Sequence, residues 1–224
     1  MKRIKKDIYN CLQKRYNKIC KFWKGIIMQK VYIVLTHTGT LLSNLIKLYT
    51  KNDYSHVSLA FDQELNEMYS FGRLYTYNAF IGGFVREYLN KGTFKRFKKT
   101  ITSVYELEIT DEQYYSMKRF VSAMYKRRKE YKFNFIGVFC VMFNKQIKRK
   151  KALYCAEFVK YALNSGNLNV NYLPEIIKPE DFKKLKNAKL IYKGKLREYN
   201  NRIRALEPPK KNIPATIITT KAAV

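Results

Sequence analysis

Two histidines, His37 and His56, serve a chain of 224 residues, alongside one tryptophan, five prolines, nine glycines and four cysteines. With so few imidazoles, any chemistry needing a histidine has only two positions to choose from. Cys11, Cys20, Cys140 and Cys155 show neither a CxxC pair nor Cys/His ligand spacing, which excludes the common structural zinc motifs. A chain of this length also needs no disulfide staples, so free thiols in a reducing compartment are expected. Acidic residues are scarce as well: 17 Asp and Glu against 45 Lys and Arg leave a net charge of +28. The longest strongly apolar run, Phe133 to Phe143, is too short to cross a bilayer, and the basic start of the chain lacks the apolar stretch of a signal peptide. A cytoplasmic protein, soluble or peripheral at a membrane, is therefore expected.

What is present belongs to a folded protein. The hydrophobic fraction of 46% and aromatic fraction of 15% supply the buried surface that disordered chains lack, and the length suits one substantial core. Abundant Lys, Asn, Ile and Tyr match the bias of an AT-rich coding sequence. That bias should enrich glutamate too, so it does not explain the charge by itself. A surplus of this size attracts phosphate-rich partners such as nucleic acid, anionic lipid or wall polymers.

Between Ile4 and Ile27, apolar residues recur every three or four positions among lysines and arginines, with Asp7 the lone acid. The spacing predicts a basic amphipathic helix that packs on the protein body or lies on an anionic membrane surface. The chain then divides into this helix (residues 1–29), a main domain (30–200) and a tail (201–224). Within the domain, Lys30–Leu35 reads as a buried strand and Leu41–Tyr49 as a helix. Ser55–Phe61 and Asn66–Phe71 read as a hairpin, and Phe80-Ile-Gly-Gly-Phe84 as a loop. Val104–Ile109 alternates like a strand. Thr110 and Gln113 have capping-box spacing for a helix to about Lys129. Asn134–Phe143 reads as a buried helix, a further helix runs from Cys155 to Asn164-Ser-Gly166, Pro179 opens a short helix, and Lys189–Tyr192 is a last strand.

Cys155 stands where a basic segment gives way to that amphipathic helix. A thiol at a helix N-terminus meets the positive end of the backbone dipole, which favours thiolate, and a histidine beside it completes a nucleophile and base pair. Cys140, inside Phe139-Cys-Val-Met-Phe143, has the setting of an inert packing residue. On the hairpin, Val57, Leu59 and Phe61 form an apolar face, so His56, Ser58 and Ala60 look the other way. With Phe61 opposite Glu67, Ser58 faces Ser70, and Ser70 lies diagonal to His56 as the candidate that orients the imidazole. A register shifted by one brings Tyr69 near His56 instead.

Tyr54-Ser-His-Val-Ser-Leu-Ala-Phe61, Met68-Tyr-Ser-Phe-Gly-Arg73, Phe80-Ile-Gly-Gly-Phe84, Tyr154-Cys-Ala-Glu-Phe-Val159 and Leu190–Arg197 together resemble the circularly permuted papain-like cysteine hydrolases, the YaeF/YiiX branch of the NlpC-like superfamily. The order carries the likeness: the histidine hairpin precedes the cysteine helix, as it also does in the related lecithin:retinol acyltransferases. The resemblance implies an α+β fold with an antiparallel sheet packed against the cysteine-bearing helix, needing no metal or organic cofactor. It implies Cys155 as nucleophile, His56 as base and Ser70 at the third polar position, where many relatives carry a carboxylate. The Cys155 N–H would help bind an oxyanion, with Tyr54 or Tyr154 as a hydroxyl donor and His37 lining the substrate cleft. The substrate would be a peptide of cell-wall type or a lipid-linked amide or ester, and the basic N-terminal helix favours the lipid. The alternative is a non-catalytic basic module that binds nucleic acid or anionic membrane, although no recognised nucleic-acid motif is present.

Overall fold

The computed structural model describes residues 28–206. The expected amphipathic helix of residues 4–27 and most of the expected tail lie outside the described residues.

Alternating apolar and polar residues build most of the sheet. Strand β1 (Met28–His37) is buried on both sides, which its run Val31-Tyr-Ile-Val-Leu35 foretells. It pairs antiparallel with β2 (His56–Ala60) on one side and with β5 (Ile101–Thr110) on the other. Strands β3 (Met68–Tyr75) and β4 (Asn78–Glu87) extend the sheet beyond β2, and β6 (Lys132–Phe133) and β7 (Ala152–Leu153) finish that edge. Strand β8 (Ala188–Lys195) closes the other edge against β5. The eight strands run in the order β7-β6-β4-β3-β2-β1-β5-β8, antiparallel except for the β6–β7 pair.

Among the described residues, six α-helices complete this α+β fold: α1 (Leu41–Thr50), α2 (Gly92–Arg96), α3 (Asp111–Lys126), α4 (Phe135–Met142), α5 (Cys155–Ser165) and α6 (Tyr199–Leu206). Helix α3 starts on the expected capping box: the Gln113 N–H donates to Thr110 Oγ1 and the Thr110 N–H to Gln113 Oε1. Helices α3 and α5 cover one face of the sheet, where Val57, Leu59, Phe71 and Phe84 meet Met117, Val121, Phe158 and Val159. The other face is smaller and packs Tyr32, Val34, Ala60 and Met68 against Phe94, Tyr199 and Ile203. The folded unit therefore runs past residue 200, because α6 buries Tyr199 and Ile203 rather than trailing as a tail.

One expected loop is a strand. Gly82 and Gly83 lie in the middle of β4, where paired glycines argue against regular strand. The reason for them is steric: a Cβ on Gly82 would sit 2.7 Å from Phe133 Cβ, and one on Gly83 2.8 Å from the Tyr131 carbonyl oxygen. The glycines let the Tyr131–Phe133 backbone close onto the sheet, and β4 continues past them to Glu87.

Phe158 joins the cysteine helix to the sheet, with its ring 4.9 Å from that of Phe84 and 5.9 Å from that of Phe71. It is fully buried. Truncation by Phe158→Ala should cost about 3–5 kcal/mol of unfolding free energy in a denaturant titration, as for other buried aromatic cavities. A loss below about 1 kcal/mol would mean that α5 is not held by this contact.

Candidate active site

Helix α5 begins at Cys155 because Tyr154 is extended and the Glu157 carboxylate turns back to accept the Tyr154 N–H at 3.2 Å. Burial pushes the Glu157 carboxyl up, while its backbone hydrogen bond and Lys148 oppose that shift. The thiol thus sits at the first helical position, buried, beside first-turn N–H groups that have no acceptor inside the helix.

His56 opens β2, and the hairpin register is the one expected from Phe61 facing Glu67: Leu59 pairs with Tyr69 and Ala60 with Met68. The imidazole shares a face with Ser58, whereas α5 lies on the opposite, Val57 and Leu59 face. Only the first residue of the strand can serve both sides. Its Nε2 donates to Glu87 Oε1 at 3.0 Å, and Cys155 lines the same cavity, close enough to help raise the pKa of the ring. Ser58 Oγ, 3.3 Å from Nε2, donates to the second Glu87 oxygen and fixes the carboxylate in place.

Burial draws the His56 pKa down, but the Glu87 carboxylate, the Cys155 thiol and their hydrogen bonds outweigh it and raise it from 6.5 to about 10. The imidazole is therefore held as imidazolium across neutral pH. Its side chain and that of Glu87 are only 18% and 13% exposed, so solvent screens the pair weakly.

Glu87 reaches His56 from two strands away because nothing bulky intervenes. Gly72 occupies the gap, and a Cβ there would lie 3.3 Å from Glu87 Oε1 and 3.7 Å from His56 Cε1. Ser70, the residue expected in the orienting role, does not touch the imidazole. Its buried hydroxyl donates to the Val57 carbonyl at 2.6 Å, and the carboxylate of Glu87 takes the position instead. With Phe80–Phe84 read as a loop, Glu87 stood on no strand, so no register could bring it to His56.

The tyrosines expected near the oxyanion are otherwise engaged. Tyr154 donates its hydroxyl to the Ile177 carbonyl at 3.0 Å, and the Tyr54 hydroxyl lies 2.7 Å from Ser103 Oγ. Their rings line the site but their hydroxyls are held by the protein. His37 lies outside the cavity wall: its ring nitrogens contact Ser55 Oγ at 3.3 Å and Asn44 Oδ1 at 3.1 Å, tying α1 to the turn before β2. Backbone N–H groups at the start of α5 are then the site's donors for developing negative charge.

Cys155, His56 and Glu87 open into one cavity of about 660 Å³. Its walls are mainly apolar, with Leu41, Leu45 and Tyr49 from α1 facing Phe135, Val138 and Phe139 from α4. Phe80 stands at the wall 84% exposed and Leu41 80% exposed, so the apolar lining continues to the surface. Among the described residues, no group of His, Cys, Asp and Glu is placed to hold a metal ion, and no helix is long and apolar enough to cross a membrane.

The raised His56 pKa sets the sign of a stability effect. Its contribution is complete below the unfolded value of about 6.5 and is lost as pH rises through about 10. Replacing Glu87 by Gln removes the charge that does most to raise that pKa. The thermal destabilisation caused by Glu87→Gln should be largest at pH 6 to 7 and shrink markedly by pH 10.5; a loss independent of pH would contradict the ion pair.

Comparison with family models, with curated proteins and with solved structures finds no match to this chain.

Proposed function

We propose that the chain is a thiol-dependent hydrolase or acyltransferase of the permuted papain-like type, acting on an ester or amide that carries an apolar acyl group. One observation carries the reading: a helix-start thiol, an imidazole and the carboxylate hydrogen-bonded to it gather on one cavity with apolar walls. The order of His56 before Cys155 along the chain, and the sheet against which α5 packs, support the permuted assignment.

The chemistry follows from the contacts. With His56 already imidazolium, the Cys155 sulfur attacks as the thiolate of an ion pair, bonding to the substrate carbonyl carbon as the carbonyl electron pair moves onto oxygen. Backbone N–H groups at the start of α5 receive that oxyanion without reorganising. The oxyanion collapses, the bond to the leaving oxygen or nitrogen breaks, and the imidazolium returns its proton to the leaving group. A thioester on Cys155 remains. Water or another nucleophile then gives its proton to the neutral His56, attacks the thioester carbonyl and releases the sulfur as thiolate beside the re-formed imidazolium. Glu87 keeps the ring oriented and stabilises its charged form throughout.

The apolar lining favours an acyl chain over a cell-wall peptide, whose polar backbone would lose hydrogen bonds to water against α1 and α4. A purely ionic binding module for nucleic acid or anionic membrane draws support from the net charge of +28 but gives the buried relay no role.

Incubating the protein with a medium-chain p-nitrophenyl ester and measuring intact mass should show one acyl adduct, mapped to Cys155 and absent from Cys155→Ala. His56→Ala should slow its formation by about 10²–10⁴-fold near neutral pH, the usual worth of a positioned base. Iodoacetamide should likewise modify Cys155 before Cys140. Equal labelling of the two thiols, with no acyl adduct, would return the chain to the class of basic binding proteins.

A further inference from the structure

Two cationic side chains line the cavity, Arg73 and Lys178, and the Lys178 ammonium donates to Asn144 Oδ1 at 3.0 Å. Arg73 follows Gly72 on β3 and lines the same wall as His56 and Cys155. It is half-buried and forms no salt bridge among the described residues. Its guanidinium donates to Thr40 Oγ1 at 2.8 Å, leaving the other donors of the fork uncommitted. Its Cζ lies 5.5 Å from the centre of the Phe97 ring, and the Arg96 guanidinium lies 5.2 Å from the same ring. Two like charges thus crowd one aromatic side chain without a carboxylate between them. Burial, and then Arg96, push the Arg73 pKa down, the signature of a charge that the protein itself does not neutralise. Hydroxyls gather beside it: Thr38 Oγ1 lies 3.3 Å from both Thr40 Oγ1 and Ser43 Oγ, and all three residues line the cavity.

A half-buried, unpaired guanidinium is costly, and a ligand anion is the partner that would repay it. Planar guanidinium forks match phosphate oxygens, and the Thr40 hydroxyl, which accepts from Arg73 and Thr38, keeps its own hydrogen to donate, whereas the Ser43 hydroxyl already donates to the Thr40 carbonyl at 2.9 Å. The opposite walls of the cavity are apolar, so the ligand must join an anion to a hydrocarbon. Resting on the acyl-enzyme reading of the same site, we propose that Arg73, with the Thr40 hydroxyl beside it and Arg96 near the same Phe97 ring, is an anion subsite that holds the phosphate of a phospholipid whose acyl chain lies between α1 and α4. Arg73 then sets specificity by positioning the charged headgroup, while Cys155 addresses the acyl carbonyl.

The test is a binding measurement that needs no turnover. In the full-length Cys155→Ser protein, isothermal titration compares a lysophosphatidylglycerol with a monoacylglycerol of equal chain length, both below micelle formation. The phosphate-bearing lipid should bind at least about tenfold more tightly, a preference of one charge-assisted contact. Arg73→Gln should erase the preference while changing affinity for the neutral lipid less than about twofold, and Arg73→Lys should restore part of it. Lys193→Gln, an equal change of charge at an exposed position of β8, should leave it intact. Inorganic phosphate alone should compete only at millimolar concentration. Equal affinity for the two lipids in the parent, equal loss of both in Arg73→Gln, or an equal effect of Lys193→Gln would overturn the subsite. Displacement of the lipid by micromolar phosphate would make the free anion, not the lipid, the ligand. Because this protein lacks its nucleophile, these outcomes are independent of whether Cys155 forms an acyl adduct.

Discussion

The hydrogen bond from His56 Nε2 to Glu87 is the contact on which the site depends. Taking an imidazolium and a carboxylate out of water costs on the order of several kcal/mol per ion, so the pair persists only if each lone pair and proton finds a partner. Here both carboxylate oxygens are partnered: Ser58 donates to one and the imidazole to the other. Gly72 matters by what it omits, since any side chain at that position would stand between the carboxylate and the ring. The same pair that stabilises the imidazolium also fixes the direction of the ring, so fold stability and the geometry of the site are coupled through one contact.

Strand geometry explains why the thiol and the imidazole come from such distant parts of the chain. A strand offers its side chains to alternate faces, and α5 covers the face that His56 does not share. At the interior of β2 this would separate the two groups by the thickness of the sheet. At the strand's first residue the ring can reach past the end of the ladder, and the first turn of α5 lies there because Tyr154 and Glu157 fix where the helix begins. The thiol is thus positioned by a helix start and the imidazole by a strand start, two termini whose locations depend on backbone hydrogen bonding more than on loop conformation.

The sequence made much of this legible. The apolar run Val31–Leu35, the alternation in Val104–Ile109, the Thr110 and Gln113 box and the hairpin register all rest on local rules that tertiary packing did not override. Cys155 and His56 were readable because a helix-start cysteine and one of only two histidines leave little choice. Glu87 was hidden by Gly82 and Gly83, whose local signal is a loop and whose reason lies in a backbone 50 residues away in Tyr131–Phe133. Ser70 satisfied the face and register criteria yet lost the role, because a buried hydroxyl takes the nearest carbonyl acceptor and Val57 supplied one. The tyrosines failed for the same reason: Ser103 and Ile177 were within reach of their hydroxyls.

Charge and cavity, taken separately, point to different partners. A large cationic surplus alone fits any polyanion, and an apolar cavity alone fits any hydrocarbon. Their juxtaposition is more selective. Nucleic acid satisfies the lysines but has no hydrocarbon to lay between Leu45 and Phe139, and a neutral lipid fills that space but leaves Arg73 and Arg96 without a counter-charge. An amphiphile with an anionic head answers both demands at once. It also accounts for Leu41 and Phe80 being left in contact with solvent at the wall, since an acyl chain entering from a bilayer would exchange one apolar surrounding for another along the whole of its path.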